Sequence, residues 1–399
     1  MEILYISALS SERLIQLIYE QTGTNPGFAV QKFSRLLVKG LEANGCPIIA
    51  FTNPPVVRGV MSKLLVCLGK EEEKGVKYKY IPFLNFPILK HLCVIFYSFF
   101  YVLFWGLSNR KEKAIVCDVL NVSACIGALL ATKLNRIQSV GVVTDIYGLM
   151  ISQHRTGLSA LISRIAKKIH DVYVKNFNKY ILLTEAMVNL VNPKNRPYMI
   201  MEALCDSYLA NTEFKPCEKT QPRTVLYAGG LFEKYGLKML VEGFIKANIE
   251  NATLILYGSG SYVEELKDVC STYANVEYRG VAPNEEVVAE ELRASLLVNP
   301  RFTTEEFTKY SFPSKNMEFM ASGTPLLTTK LPGMPNDYYP YVYLFEEETV
   351  NGYAEALTKA LSRSELDLIE FGIKGREFVL NQKNNIYQGK RILSFITGK

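Results

Sequence analysis

Histidine is scarce in this chain, three in 399 residues, so chemistry that abstracts and returns protons through several imidazoles has little to draw on. The eight cysteines (Cys46, Cys67, Cys93, Cys117, Cys125, Cys205, Cys217 and Cys270) are scattered, without a CxxC pair. That spacing excludes a zinc ribbon or a disulfide framework and reads as reduced thiols in a cytosolic protein. There is no Asp-x-Asp pair, the common carboxylate signature of a metal-dependent diphosphate site. No Gly-x-Gly-x-x-Gly follows the first strand, which argues against a Rossmann dehydrogenase. No repeat of 20 to 50 residues occurs. The N-terminus, MEILYISA, lacks a positive flank and a cleavage site and reads as a strand, not a secretory signal. The net charge of +6 is modest, and no nucleic-acid partner is expected.

What is present is a large apolar share, 48 %, against 21 % charged residues, a globular composition able to bury more than one core. Continuous apolar runs alternate with helical patterns: EILYIS, PIIAFTN, AIVCD, SVGVVTD, KYILLTE, TVLYAGG, ATLILYG, ASLLVNP and TPLLTT. Such strands belong to parallel sheets covered on both faces by helices. The alternation pauses at 206–222, where polarity rises and Pro216 and Pro222 interrupt any regular element. We therefore expect an N-terminal Rossmann-like domain over 1–205, a linker over 206–222 and a second Rossmann-like domain over 223–375. Residues 376–399 are expected to form a C-terminal helix that packs back on the first domain. Ligands of open α/β sheets sit beyond the carboxyl ends of strands, so the polar residues there are the ones to inspect.

Two stretches stand apart from this pattern. Arg155, Arg164, Lys167, Lys168, Lys175 and Lys179 crowd one segment, which suits an anionic surface or is a solvated helix face. Residues 91–107, HLCVIFYSFFYVLFWGL, are apolar all round but slightly short for a span. With His91, Tyr97, Tyr101 and Trp105 in it, the stretch reads as an interfacial or buried helix.

The second half holds the chemistry-bearing patterns. YAGGLFEKYG places Gly229 and Gly230 at a strand end, with Lys234 just before a helix. Bare backbone and a cation there suit a phosphate; a diglycine after a strand also serves as an ordinary tight turn. YGSGS repeats the pattern at Gly258, and LLVNPR brings Arg301 out at another strand end. In YSFPSKNMEFMASGTPLL, Pro313 suits an early helical position and Ser311 or Ser314 can cap the helix, which ends by Gly323. Lys315 and Glu318 then share a face, either as a plain ion pair or as a cation for a diphosphate with a carboxylate for a ribose.

The unbroken order of YAGGLFEKYGLKMLVEGF, LILYGSGS, VEYRGVAPNEEV, LLVNPR and SFPSKNMEFMASGTPLL over about 223–330 resembles the C-terminal domain of retaining GT-B glycosyltransferases of family 4 type. The likeness is greatest to bacterial enzymes of capsular or exopolysaccharide assembly. NPGFAVQKFSRLLVKGLEANG, VTD at 143–145 and LLTEAM at 182–187 resemble the acceptor-side domain. The resemblance implies an α/β GT-B fold, with two Rossmann-like domains facing each other across a cleft. It also implies transfer, with retention of configuration, from a nucleotide diphosphate sugar to a glycan carried on a polyprenyl lipid. Glu318 matches the second glutamate of the family's paired-glutamate motif, which holds the ribose. The first falls on Tyr310, a departure that Glu305 or Glu306 can offset. The family's Gly-Arg-Leu is here Gly229, Gly230, Leu231, so its phosphate-contacting arginine is missing.

On this reading Lys234, Lys315 and Arg301 stabilise the departing diphosphate without a metal or cofactor. Gly229, Gly230, Gly258, Tyr310, Ser314, Lys315 and Glu318 bind the donor. Gly27, Asn121, Asp145 and His154 line the acceptor side. The apolar helix and the basic run fit a cytoplasmic protein, peripheral on the inner leaflet. A nucleotide-sugar epimerase is disfavoured by the shortage of histidine. A degenerate, non-catalytic subunit that binds a nucleotide sugar is the main rival.

Overall fold

The structure, a computed structural model, describes residues 1–23, 28–56, 61, 63–108, 112–146, 157–211 and 222–398. The chain divides into two compact units, Met1–Leu204 with Asn385–Lys399, and Cys205–Asn384.

The strands of the first unit are β1 Glu2–Ser7, β2 Ile48–Thr52, β3 Leu65–Val66, β4 Lys70–Glu73, β5 Val76–Tyr80, β6 Phe83–Leu84, β7 Lys113–Asp118, β8 Gln138–Val143, β9 Lys179–Leu182 and β10 Tyr198–Ile200. Eight of them form one sheet in the order β10-β9-β8-β7-β1-β2-β5-β4, and β3 pairs with β6 apart. All neighbours in the large sheet are parallel except β4 and β5. The apolar runs at β1, β2, β7, β8 and β9 form strands as their composition demands. The β4–β5 hairpin was not foreseen, because KEEEKG is nearly all charge. Its two loop residues, Lys74 (φ 50°) and Gly75 (φ 82°), both adopt the left-handed region that a tight two-residue hairpin needs. Charge on such an edge strand discourages pairing with other chains.

The second unit is the simpler one. Its strands are β11 Arg223–Ala228, β12 Ala252–Tyr257, β13 Val276–Tyr278, β14 Leu296–Asn299, β15 Leu326–Thr329 and β16 Tyr343–Phe345. All are parallel, in the order β13-β12-β11-β14-β15-β16. The order reverses between β11 and β14, which opens a crevice beyond their carboxyl ends. One core of Val225, Leu240, Phe244, Leu254, Leu256, Leu296, Val298 and Tyr353 backs this sheet, each 1 % exposed or less.

Two boundaries differ from expectation. The expected break at 375 falls inside one helix, Glu365–Gln382, which stays with the second unit. Only the next helix, Asn385–Thr397, belongs with the first, where a Cβ on Gly389 would stand 2.3 Å from the Gly40 carbonyl. At the other boundary, the guanidinium of Arg376 donates to the Leu209 carbonyl at 2.6 Å, so the start of the 206–222 segment is tied into the second unit.

The apolar stretch forms the helix Pro87–Leu107, with Pro87 in the first turn. It is long and apolar enough to cross a membrane by length and composition. Of the residues read as interfacial, Tyr97 and Tyr101 turn inward and stack on Phe51 of β2 at 6.2 and 4.6 Å, while His91 stays exposed with its Nδ1 2.8 Å from Ser123 Oγ. The outward row is Ile88, Leu92, Phe96, Phe100, Phe104 and Leu107.

Candidate functional site

The crevice of the second unit is framed by two loops that leave β11 and β14. After β11 the chain passes through Gly229 and Gly230, a single 3-10 turn over Glu233–Tyr235, and Gly236, and then enters the helix Leu237–Ala247. The Tyr227 hydroxyl braces this loop by donating to the Gly230 carbonyl at 2.9 Å. Burial pushes that hydroxyl up to about 12, with the nearby Arg301 charge pulling it back. Gly236 has φ 78°, and a Cβ on it would lie 1.9 Å from the Pro300 carbonyl. Glycine there is what lets the β11 loop meet the β14 end.

Gly258 takes a different role from the one expected. With φ 133°, its missing Cβ would fall 1.8 Å from the Gly229 carbonyl, so the bare backbone is filled by the neighbouring loop and is not left for a ligand. The Gly229 amide donates to the Tyr257 carbonyl at 3.0 Å and the Leu231 amide to the Ser259 carbonyl at 2.9 Å, which fixes the two loops together.

Arg301 follows β14 and faces this loop. Its guanidinium sits 4.8 Å from the Tyr235 ring centre and 6.0 Å from that of Phe307. Its Nε is buried without a hydrogen-bond partner, and among the described residues no carboxylate pairs with it. Burial lowers its pKa, yet a guanidinium keeps its charge in a protein. Lys234 lies 5.5 Å from the same ring, exposed and also without a carboxylate among the described residues. Two uncompensated cations thus share one aromatic residue at the point where strand order reverses. Stacking on rings offsets only part of the cost of taking the Arg301 charge from water.

Lys315 is placed otherwise. The helix Ser314–Ser322 forms and ends at Gly323 in the left-handed region, as its sequence predicts. Neither serine caps it: Pro313 is the N-cap, Ser311 Oγ donates to the Phe307 carbonyl at 3.0 Å, and Ser314 is the exposed first helical residue. Lys315 Nζ lies 3.2 Å from Glu318 and 3.7 Å from Glu291, a buried carboxylate on the helix Asn284–Arg293. With two carboxylates around it, Lys315 brings no net positive charge to the crevice. Glu318 is half-buried. Tyr310 closes the 3-10 turn Glu306–Lys309, half-buried, and Glu306 is exposed beside it. Below them Asn299 donates to Asn316 at 2.5 Å, and the Asn316 amide nitrogen is buried with no acceptor. Neither asparagine was singled out from sequence, since a polar pair at a strand end and a helix start reads as two unrelated caps.

In the first unit the order reverses between β1 and β7, and Asp118 ends β7 there. Its carboxyl is 4 % exposed, accepts from the Leu120 amide at 3.1 Å and is pushed up by burial to about 6. The strand AIVCD showed this terminal acid, yet it was not nominated. Asn121 is nearby, accepting from Asn53 at 3.2 Å, with its own amide nitrogen buried and unpartnered. Asp145 accepts from the adjacent Ile146 amide at 2.7 Å, the pattern of a loop cap, and burial raises its pKa. Gly27 and His154 lie outside the described residues.

Residues 222–363 match the family model described as glycosyl transferases group 1. A search of curated proteins finds no match. Among solved structures the chain is similar to the apo form of the lipopolysaccharide outer core galactosyltransferase WaaB, at 14 % identity over 100 % of this chain and 99 % of that one, with a TM-score of 0.62. It is similar to sucrose-phosphate synthase from Thermosynechococcus elongatus, at 15 % identity over 100 % of both chains and a TM-score of 0.62. Anabaena Alr3699/HepE in complex with UDP stands at 14 % identity over 100 % of both, again with a TM-score of 0.62. The fold is α/β with parallel sheets, shared over the whole chain with glycosyltransferases of the GT-B kind.

Proposed function

We propose that the chain is a cytoplasmic glycosyltransferase that moves a sugar from a nucleotide diphosphate sugar to a glycan acceptor with retention of configuration. The acceptor is lipid-linked, in the synthesis of a surface polysaccharide. The observation that carries the reading is Arg301, an uncompensated guanidinium at the reversal of strand order, stacked on Tyr235 and facing the Gly229–Gly230 loop. The match of 222–363 to the glycosyl transferases group 1 model and the UDP bound to Alr3699/HepE support it.

In this reading the diphosphate lies against Arg301 and Lys234, which replace the arginine absent from position 230. Glycosyl transfer places negative charge on the departing diphosphate, and cations already held in position stabilise it without reorganisation. No metal is called for. Glu318 holds the ribose hydroxyls, and Lys315, 3.2 Å away, orients that carboxylate. On the acceptor side Asp118 joins Asn121 as a group able to hold a sugar hydroxyl. No protein nucleophile is assigned.

A second reading, a nucleotide-sugar-binding subunit without turnover, is favoured by Tyr310 standing where the family places a sugar-binding glutamate. Thermal-shift measurements with nucleotide diphosphates and their sugars, with and without EDTA, test both. A ligand at 100 times its dissociation constant adds about 2.7 kcal/mol. Stabilisation regardless of EDTA, together with hydrolysis or transfer of one sugar, is the expected result. Stabilisation with no turnover on any glycan acceptor supports the second reading, and no stabilisation by any nucleotide refutes the donor site.

A further inference from the structure

A cavity of about 640 Å³ opens in the first unit at the amino-terminal edge of its sheet, away from the strand ends that carry Asp118. Lys133 and Arg136, at the end of the helix Val122–Asn135, line it with Lys175, Lys194 and Arg196. These five cations come from three separate stretches of chain, and among the described residues no Asp or Glu lines the cavity. Among the described residues none of the five is paired with a carboxylate; the one polar side-chain partner is Asn176, which accepts from Lys194 at 3.0 Å. So much like charge around one hollow is unfavourable unless an anion enters it.

The helices beside the cavity supply a second and independent observation. The helix Val122–Asn135 packs along Pro87–Leu107: Asn135 donates to the Val102 and Leu103 carbonyls, and a Cβ on Gly127 would stand 2.2 Å from the Ile95 carbonyl. Phe96, Phe100, Phe104 and Leu107 are exposed along the latter, at 60, 50, 65 and 71 %. Leu130 and Leu134, at 48 and 65 %, continue that apolar surface on the helix that lines the cavity. The helix Gly157–Tyr173, which leads into Lys175, exposes Ile165, Ile169 and Val172 about one turn apart, interleaved with exposed Arg164, Lys167 and Lys168. A helix of 21 residues is roughly 30 Å long, and an apolar row of that length in water is costly to leave uncovered.

We propose that this face docks on an anionic bilayer, with a phospholipid phosphate in the five-cation cavity and the Phe96–Leu107 row in the outer acyl layer. The cations of the cavity and of the helix Gly157–Tyr173, beside the apolar row Phe96–Leu107, match a surface that is charged at the headgroups and apolar just beneath. A free phosphate would satisfy the cavity but leave the rows uncovered. The proposal does not rest on glycosyl transfer: docking without turnover, or turnover without docking, separates the two.

The test is co-sedimentation of the full chain with phosphatidylcholine vesicles, with and without phosphatidylglycerol, at rising salt. Binding is expected only with phosphatidylglycerol, weakening as salt screens the cations. The triple variant Lys133→Ala, Arg136→Ala, Arg196→Ala should lower partitioning about a hundredfold, from the ~1 kcal/mol that each cation near such a surface contributes. Phe100→Ser with Phe104→Ser should release the protein as well, and the exposed positions make both variants fold, as thermal melts will verify. Failure of the wild-type chain to sediment overturns docking, and inorganic pyrophosphate binding that the triple variant loses and Arg301→Ala keeps then makes the cavity a soluble-anion site. Equal binding to neutral vesicles, or a dimer in sedimentation velocity that the two serines dissociate, overturns it too.

Discussion

The two sheets reverse strand order at equivalent places and put opposite chemistry there. In the first unit the reversal lies between β1 and β7 and carries a buried carboxyl, Asp118, beside the asparagines 53 and 121. In the second it lies between β11 and β14 and carries a stacked guanidinium, Arg301, beside a glycine loop. The same backbone geometry thus presents a buried carboxyl in one unit and a guanidinium stacked on a ring in the other. Fold alone does not choose between them; the side chain at the strand end does.

The glycine interlock is where this contrast breaks most easily. Gly258→Ala puts a methyl group into the Gly229 carbonyl at a φ that L residues rarely adopt, and should cost about 3 to 5 kcal/mol in urea unfolding of the second unit. A loss below about 1 kcal/mol would mean that the loops separate freely and do not position Arg301.

Asp118 tests the other half of the contrast through pH. Its folded carboxyl titrates at about 6 against an ordinary 3.8, so the native state holds the extra proton between those values. Stability therefore falls as pH rises from about 4 to about 6, by on the order of 3 kcal/mol at about 1.4 kcal/mol per unit, and stays lower above. Asp118→Asn should raise the unfolding midpoint at pH 8 and leave it unchanged near pH 3.5. An equal shift at both values would show that the carboxyl is not strained by burial.

Arg301→Ala should weaken binding of a nucleotide diphosphate by about 1.5 to 3 kcal/mol, roughly 10- to 100-fold by calorimetry. The melt of the unliganded protein should not fall, since an uncompensated buried charge is being removed. A large drop in that melt would instead make Arg301 a structural residue. Smallest is the folding effect of Glu318→Ala, at most about 0.5 kcal/mol for a third-exposed ion pair. Nucleotide affinity should still fall, and an unchanged affinity would remove Glu318 from the ribose site.

Nine strands, the helix from Ser314 to Gly323, and the placement of Arg301 and Gly229 at strand ends were legible in the sequence. Alternation and apolar runs report local burial directly, and glycine and proline mark where the chain must turn. The charged hairpin β4–β5 escaped because its register is set by a tight turn and not by apolar residues. Asp118 escaped because an acid after a strand becomes informative only when strand order shows which ends adjoin.

What the sequence determined by itself is therefore the set of elements and the residue types at their ends. Tertiary structure alone decided the partners. Lys315 and Arg301 are both cations at loop-to-helix connections of one sheet, but only Lys315 meets Glu291 from a separate helix and is compensated. Tyr97 and Phe100 are three residues apart on one helix, and only the position of Phe51 on β2 turns the first inward and leaves the second exposed. The five-cation cavity draws on residues up to 63 positions apart, from Lys133 to Arg196. Electrostatic and packing energies fall off over a few ångströms of space, and distance along the chain carries no record of which segments come that close.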